Sequence, residues 1–257
     1  MNEKPLGFAA NHNRILRCAT TDYLLVANDD LIFRGHAVSL ALAELRRPEN
    51  RDVGSLSPRL LNEDGTLQRS TYGFPTVSRA LLDLSGIRDL LPHNRATDLV
   101  ARHAGRGNGR SRFWPHDRAC DVETFRGAAM FIRNAAWRDS GEFSEVATVG
   151  GEIAEWHRRS RDRGWRARYF PAAEVTHYGS RTVGRNRLLQ NEYLKGYAVY
   201  FARFGKSSAL PAFRICGVAL SLVRLAAAAL SGDRTGVKLW WMNIATLARL
   251  EWLKGKQ

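Results

Sequence analysis

A carboxylate at the end of an apolar strand is costly to bury unless it meets a cation. This chain places one there: Asn28-Asp29-Asp30 directly follows the run Tyr23-Leu24-Leu25-Val26-Ala27. Two further signals stand in the second half. Gly150-Gly151-Glu152 opens a helix-like stretch with Glu155 one turn on, and Val175-Thr176-His177-Tyr178-Gly179 closes another strand-like run. Oxygen donors of this kind suit a hard divalent cation. A histidine adds a nitrogen ligand, and a carboxylate opening a helix can take a proton from a hydroxyl. Each group also has a purely structural reading. Asp-rich turns after strands are common, a lone histidine often only packs, and Glu152 suits the positive end of a helix dipole.

The elements that must position these groups alternate between α and β. Residues Asn11 to Thr20 are expected to form a short helix. Tyr23–Ala27 reads as a strand buried on both faces, Val38–Leu45 as a helix ending before Pro48, and Val53–Ser57 as a strand, with a hairpin turn at Asn62-Glu63-Asp64-Gly65-Thr66. Strand, helix, strand at these lengths implies a right-handed crossover and a largely parallel sheet. Farther on, Thr124–Ile132 resumes ordered structure, Asn134–Asp139 starts a short helix, and Glu152–Arg163 is a helix stopped by Gly164. Trp165–Phe170 and Glu174–Tyr178 read as strands flanking Pro171.

The 257 residues carry a net charge of +14, which favours anionic partners: nucleic acid, anionic lipid or pyrophosphate-bearing substrates. Between Arg102 and Arg118, five arginines stand among glycines, a basic loop that serves as solvated surface or as a flap over a phosphate. From Arg187 onward there are 11 Lys+Arg against 3 Asp+Glu, so +8 of the charge sits in the most apolar part of the chain. That combination fits a membrane surface. The basic residues do not alternate with aromatics on one element and no recognition motif is present, so nucleic acid is not an expected partner. In Pro211–Leu230 the polar exceptions Arg214, Gly217, Ser221 and Arg224 fall in one arc of about 80°. Val237–Lys254 repeats the theme with Trp240, Trp241 and Trp252. Both read as amphipathic helices that lie on a membrane or pack on the core. Cys18, Cys120 and Cys216 have no metal-ligand spacing and read as reduced, buried thiols of a cytosolic protein. The polar start, Met1 to Pro5, lacks the apolar stretch of a signal peptide.

Longer stretches carry a resemblance. Gly7-Phe8-Ala9-Ala10-Asn11-His12-Asn13, Tyr23–Asp30, Pro58-Arg59-Leu60 and Asp64-Gly65-Thr66-Leu67-Gln68 are followed by Arg126-Gly127-Ala128-Ala129-Met130, Gly141–Glu145, Gly164-Trp165-Arg166 and Val175–Ser180. In this order they resemble family-2 glycosyltransferases of the GT-A fold, in the branch of bacterial rhamnosyltransferases of cell-surface polysaccharide synthesis, over about residues 5–205. The resemblance implies an α/β, GT-A-like (Rossmann-like), mostly parallel sheet flanked by helices. It implies a glycosyltransferase core at 1–205, and the amphipathic basic helices beyond it read as a membrane-associating segment at 206–257. It also implies a metal-dependent, inverting transferase that moves a rhamnose-like sugar from a nucleoside diphosphate sugar to a lipid-linked or polysaccharide acceptor, seated peripherally at the inner, cytoplasmic face of the cell membrane on an anionic surface.

Position by position, the resemblance makes Asp30 and His177 ligands of a divalent metal, Mg2+ or Mn2+, with His177 as the late metal or pyrophosphate ligand. Gly7, Asn11, Asn13, Asn28 and Asp29 fall to the donor, with Asn28 a ribose or metal-water contact. Arg126, Gly127 and Trp156 fall to the acceptor side, Gly127 letting the backbone approach a sugar. Two departures bear on activity. The position of the family's usual acceptor base is Ile153, which cannot take a proton, leaving Glu152 or Glu155 for that role. The first strand–helix–strand unit of the family, which holds the nucleotide base, is expected to be missing, leaving an apolar sheet edge. Either Met1 is not the natural start, or the donor site is incomplete or completed by another chain. Both departures also motivate an alternative, a catalytically silent relative acting as scaffold or partner subunit.

Overall fold

The computed structural model describes residues 6–85, 116–146, 150–179 and 190–249. Arg102, Arg106, Arg110 and Arg112 of the expected basic loop lie outside the described residues, as do Trp252 and Lys254.

The centre of the fold is a pair of long strands, β3 (Val53–Leu61) and β9 (Arg166–His177), which run parallel. Shorter strands divide their outer edges. On β3, β8 (Ala129–Arg133) pairs with Ser55 and Leu56, and β4 (Leu67–Gln68) folds back on Leu60 and Leu61. On β9, β6 (Cys120–Val122) covers the first half and β2 (Leu31–Phe33) the last. β1 (Tyr23–Ala27) completes the sheet by pairing antiparallel with β8. Because β8 is antiparallel to both of its neighbours, β1, β3 and β9 all point the same way. These three strands form the co-directional frame expected from the sequence, with β8 inserted between β1 and β3 rather than a direct crossover contact; β3–β9 is the parallel pairing, and the shorter strands join antiparallel. A small ribbon of β5 (Thr71–Tyr72) and β7 (Thr124–Phe125) lies beside the sheet.

Two strand expectations are corrected. The runs around Pro171 form one strand: Phe170 pairs with Pro58 and Glu174 with Arg59, so three residues bulge out where proline has no N–H for the ladder. β1 is buried on one face only. Leu24 and Val26 are in the core, while Leu25 on the opposite face is exposed, because β1 is the edge strand among the described residues.

Helices α1 (Phe8–Leu16), α4 (Asn134–Ser140) and α5 (Glu152–Asp162) cover one side with a core of Leu16, Val26, Trp137, Phe143, Ile153 and Trp156. α2 (Ala37–Arg46) covers the other, placing Ala41 and Leu45 on Leu56 and Phe131. A helical layer follows: α3 (Val77–Ser85), α6 (Gln190–Phe204), α7 (Ala209–Leu230) and α8 (Arg234–Ala248). Its core joins Phe74, Leu84, Leu194, Phe201, Phe213 and Leu247. This packing runs straight through the expected division at 205/206, since α6 and α7 share one apolar cluster.

The polarity of α7 is the reverse of a helix lying polar side to water. Gly217 and Ser221 are buried; Arg214 donates to the carbonyl of Leu247 at 3.0 Å, and Arg224 lies over the Trp240 ring at 5.3 Å. The polar arc thus faces α8. The outward face carries Ile215 (71% exposed), Val223 (68%) and Leu230 (91%), with Trp241 of α8 at 64%. By length and composition α7 is also apolar enough to cross a membrane. The three cysteines are unbridged, yet Cys18 and Cys216 are exposed rather than buried, one in the turn after α1 and one on the outward face of α7.

Candidate functional site at the carboxyl ends of the co-directional strands

Co-directional strands bring their carboxyl ends to one edge of the sheet, where open α/β sheets bind ligands. Here that edge collects the groups singled out above. Asn28, Asp29 and Asp30 follow β1; the hairpin 62–66 follows β3 and returns Gln68; and His177 ends β9. β8 runs the other way, so Arg126 and Gly127, just before it, reach the same edge, where the Asn28 N–H bonds to the Ala128 carbonyl at 2.9 Å. After Asp30 the chain turns into β2, whose Leu31 pairs with His177. That register sets Asp30 beside the histidine.

His177 is buried; its Nε2 lies 3.3 Å from Asp30 Oδ1 and 3.4 Å from the Asn28 amide nitrogen. Asp30 Oδ1 is shielded from solvent yet meets no hydrogen-bond geometry. Burial lowers the His177 pKa, opposed by the Asp30 charge, and the nearby Arg126 charge lowers it further. A solvent-shielded carboxylate oxygen 3.3 Å from an imidazole nitrogen fits a divalent cation that would bind both. Asp30 and His177 supply two protein ligands and Asn28 lies alongside. Among the described residues no third His, Cys, Asp or Glu joins them, so substrate oxygens and water would complete the shell, as Mg2+ and similar ions accept. Asp29 is exposed beside the pair.

Glu152 approaches this edge from α5. The preceding Gly150 and Gly151 have φ of 90° and 92°, left-handed values that favour glycine, and they turn the chain abruptly into the helix. Glu152 is 7% exposed, and its Oε2 has no partner. Burial raises its pKa to about 7, partly offset by backbone hydrogen bonds from Glu152 and Gly150. Tyr193, a residue that no sequence signal singled out, packs its ring where a Cβ on Gly150 would sit. Tyr193 senses the charges of Arg126 and Glu152, so the three share one neighbourhood. Arg126 also donates to the Tyr72 hydroxyl at 3.1 Å.

Several expected site residues do other work. Glu155, 1% exposed, receives Arg159 Nε at 2.7 Å and Arg203 Nη1 at 2.6 Å, which ties α5 to α6 and leaves no carboxylate poised for proton transfer. Asn13 is buried with its amide spent on Phe143 and Glu145, clasping α1 to the segment after α4. Trp156 is fully buried and donates to the Gly141 carbonyl at 2.9 Å. A Cβ on Gly127 would lie 2.9 Å from Ile153 Cγ1, so that glycine makes room for isoleucine and not for a sugar. Gly7 precedes α1 as its N-cap, and Asn11 bonds the Leu6 carbonyl at 3.2 Å.

No family model matches the chain. It is 25% identical over 166 residues to the N-acetylglucosaminyl-diphospho-decaprenol L-rhamnosyltransferases of two Mycobacterium tuberculosis strains, CDC 1551 / Oshkosh and ATCC 25618 / H37Rv. The match covers 64% of this chain and 50% of theirs, so the chain spans about half the length of the curated relatives it matches. Among solved structures, GalNAc-T7 with UDP, GalNAc and Mn2+ superposes at a TM-score of 0.49 with 14% identity, over 78% of this chain and 35% of that one. The mannosyltransferase PcManGT from Pyrobaculum calidifontis, in complex with GDP-Man and Mn2+, gives 0.46 and 16%, over 98% and 63%. The chain resembles the family-2, GT-A-like glycosyltransferases, the curated rhamnosyltransferases being the relatives it matches in sequence.

Proposed function

We propose that this chain transfers a sugar from a nucleoside diphosphate sugar to an acceptor hydroxyl, with inversion at the sugar carbon. The observation that carries the proposal is Asp30 facing His177 at 3.3 Å where the co-directional strands end, with the buried Glu152, whose Oε2 has no partner, opening the helix whose Ile153 packs on Gly127. A divalent cation, Mg2+ or Mn2+, held by Asp30 and His177 would neutralise the leaving diphosphate. Asn28 and Asp29 would meet the donor beside it, together with Gly7 and Asn11 at the start of α1. Glu152, with a pKa raised by burial to about 7, is poised to take the acceptor's hydroxyl proton. That oxygen then bonds to the sugar carbon as the carbon–phosphate oxygen bond breaks, and the nucleoside diphosphate departs. Tyr193 lies within reach of the charges of both Arg126 and Glu152, at the mouth of α5 where the acceptor would enter.

The curated relatives are rhamnosyltransferases named for a diphospho-decaprenol acceptor, so rhamnose and a lipid-linked acceptor are the donor sugar and acceptor we assign. The outward apolar face of α7 and Trp241, with exposed Lys206, Arg234 and Lys238 near them, would seat the protein peripherally on the anionic inner face of the cell membrane. There the helices from 206 onward would act as the associating segment. The test is to incubate the full chain, Mn2+ and deoxythymidine diphosphate-rhamnose with a polyprenyl diphosphate-linked N-acetylglucosamine. Release of the nucleoside diphosphate with a heavier lipid product supports the assignment; intact donor with every sugar nucleotide tried contradicts it.

A second reading, a silent scaffold or partner subunit, is favoured by one observation: Ile153 stands at the family's base position and fills the space over Gly127. It predicts that Asp30→Ala leaves cellular glycan unchanged while loss of the outward face of α7 does not.

A further inference from the structure

We infer that the hairpin 62–68 is a tautomer-setting relay, in which Gln68 is a positioning residue that presents the bare Nε2 of His177 to the cation shared with Asp30. The inference rests on the metal reading given above, and it concerns residues to which that reading gave no role.

The relay begins at Asp64, whose Oδ1 accepts the Thr66 hydroxyl at 2.6 Å and the Thr66 N–H at 2.9 Å. An ionised carboxylate only accepts, so the hydroxyl proton of Thr66 is committed to Asp64. Thr66 Oγ1 must then be the acceptor for the Asn62 amide nitrogen, 2.9 Å away. This fixes the orientation of the Asn62 amide and turns its oxygen toward Gln68, whose Nε2 donates to it at 3.0 Å and to the His177 carbonyl at 3.3 Å. With its nitrogen end held by two acceptors, the Gln68 amide can offer only its oxygen to the ring. Gln68 Oε1 lies 2.5 Å from His177 Nδ1. An oxygen acceptor there requires the proton on Nδ1, and a neutral imidazole then carries its lone pair on Nε2.

That lone pair points into the site. It lies 3.3 Å from Asp30 Oδ1 and within 3.4 Å of the Asn28 amide nitrogen. In that tautomer Nε2 accepts the Asn28 amide N–H and leaves Asp30 Oδ1 as a facing acceptor that a cation would join to it, and a metal-bound histidine characteristically has its other nitrogen fixed in this way. The glutamine holds the ring from outside the site, while Asp64 and Thr66 set the direction of the whole chain from the exposed end of the turn.

The test uses the full chain labelled with nitrogen-15 histidine, with His177→Asn to assign the resonance. In the metal-free protein His177 should show a protonated Nδ1 and a bare Nε2. Thr66→Val, which removes the hydroxyl from a residue that never touches the ring, and Gln68→Leu should both shift the ring toward a mixture of tautomers. Gln68→Glu keeps an acceptor and should retain the wild-type tautomer. Mn2+ binding, read from the free-ion electron paramagnetic resonance signal, should weaken about 10–100-fold in Gln68→Leu. Thr66→Val should weaken it less. A wild-type ring protonated on Nε2, or tautomer and Mn2+ affinity unchanged in folded Gln68→Leu, overturns the relay. A wild-type protein with the expected tautomer that takes up no Mn2+ overturns the cation reading, with the hold of Gln68 on the ring left standing.

Discussion

Glu152 and Glu155 lie one turn apart on α5 in opposite electrostatic surroundings. Glu155 is gripped by the guanidiniums of Arg159 and Arg203, whereas Glu152 keeps an oxygen without a partner and a pKa raised to about 7. Glu152→Gln should therefore lower turnover at least about 10²-fold, the usual contribution of a positioned base. Glu155→Gln should leave turnover of the folded protein within about tenfold, and instead lower stability by roughly 2–4 kcal/mol, because it leaves two arginines short of their counter-charge. Steady-state turnover and denaturant unfolding on both variants check this; equal small losses of activity would remove Glu152 from the base role.

The raised pKa of Glu152 also fixes a pH dependence. Proton abstraction needs the ionised form, so kcat/KM should rise with pH through a midpoint near 7. Stability should move the other way. The folded protein holds this proton to about pH 7 and the unfolded chain only to about 4.5. The group's contribution is therefore fully present below 4.5 and is lost as pH rises through 7, by about 3 kcal/mol. Melting curves at pH 5 and pH 8.5 should show Glu152→Gln gaining on the wild type at the higher pH. A gain of the same size at both values would contradict the shift.

Much of the site's layout was legible in the sequence, because strand ends and short acidic or glycine-rich turns are local signals. Asp30 and His177 face one another 3.3 Å apart at one sheet edge, and the hairpin at 62–66 forms where its Asn, Asp and Gly predict, with Gly65 at a φ of 80°. What could not be read was decided by packing between distant segments. Asn13 looks like a donor contact until Phe143 and Glu145 consume its amide. Gly127 looks like space for a sugar until Ile153 fills it. Tyr193 carries no local mark at all, and the polar arc of α7 turned inward because α8 offered it carbonyls and a tryptophan ring.

Gly196 of α6 abuts the turn that starts α5: a Cβ there would collide with the carbonyl of Gly150 and lie 3.0 Å from the Gly151 Cα. Gly196→Ala should cost about 1–3 kcal/mol by overpacking and lower turnover further by displacing Glu152. Unfolding and turnover at a temperature where the variant is fully folded separate the two effects; wild-type turnover in the folded variant would show that α6 does not position the carboxylate.

Ile215 and Val223 are among the most exposed apolar side chains of α7, so charging them leaves the core intact. The double variant Ile215→Glu, Val223→Glu should lose sedimentation with anionic vesicles while keeping its melting temperature within a few degrees. Co-sedimentation at the wild-type level would place the membrane contact elsewhere.

If Asp30 and His177 form a cation-dependent donor site, calorimetric titration of the full chain with UDP and dTDP, with and without Mn2+ and alongside Asp30→Asn, should show nucleotide binding that requires Mn2+ and disappears in Asp30→Asn. Binding that is indifferent to Mn2+ and to the substitution, or none in the wild type, would contradict that assignment.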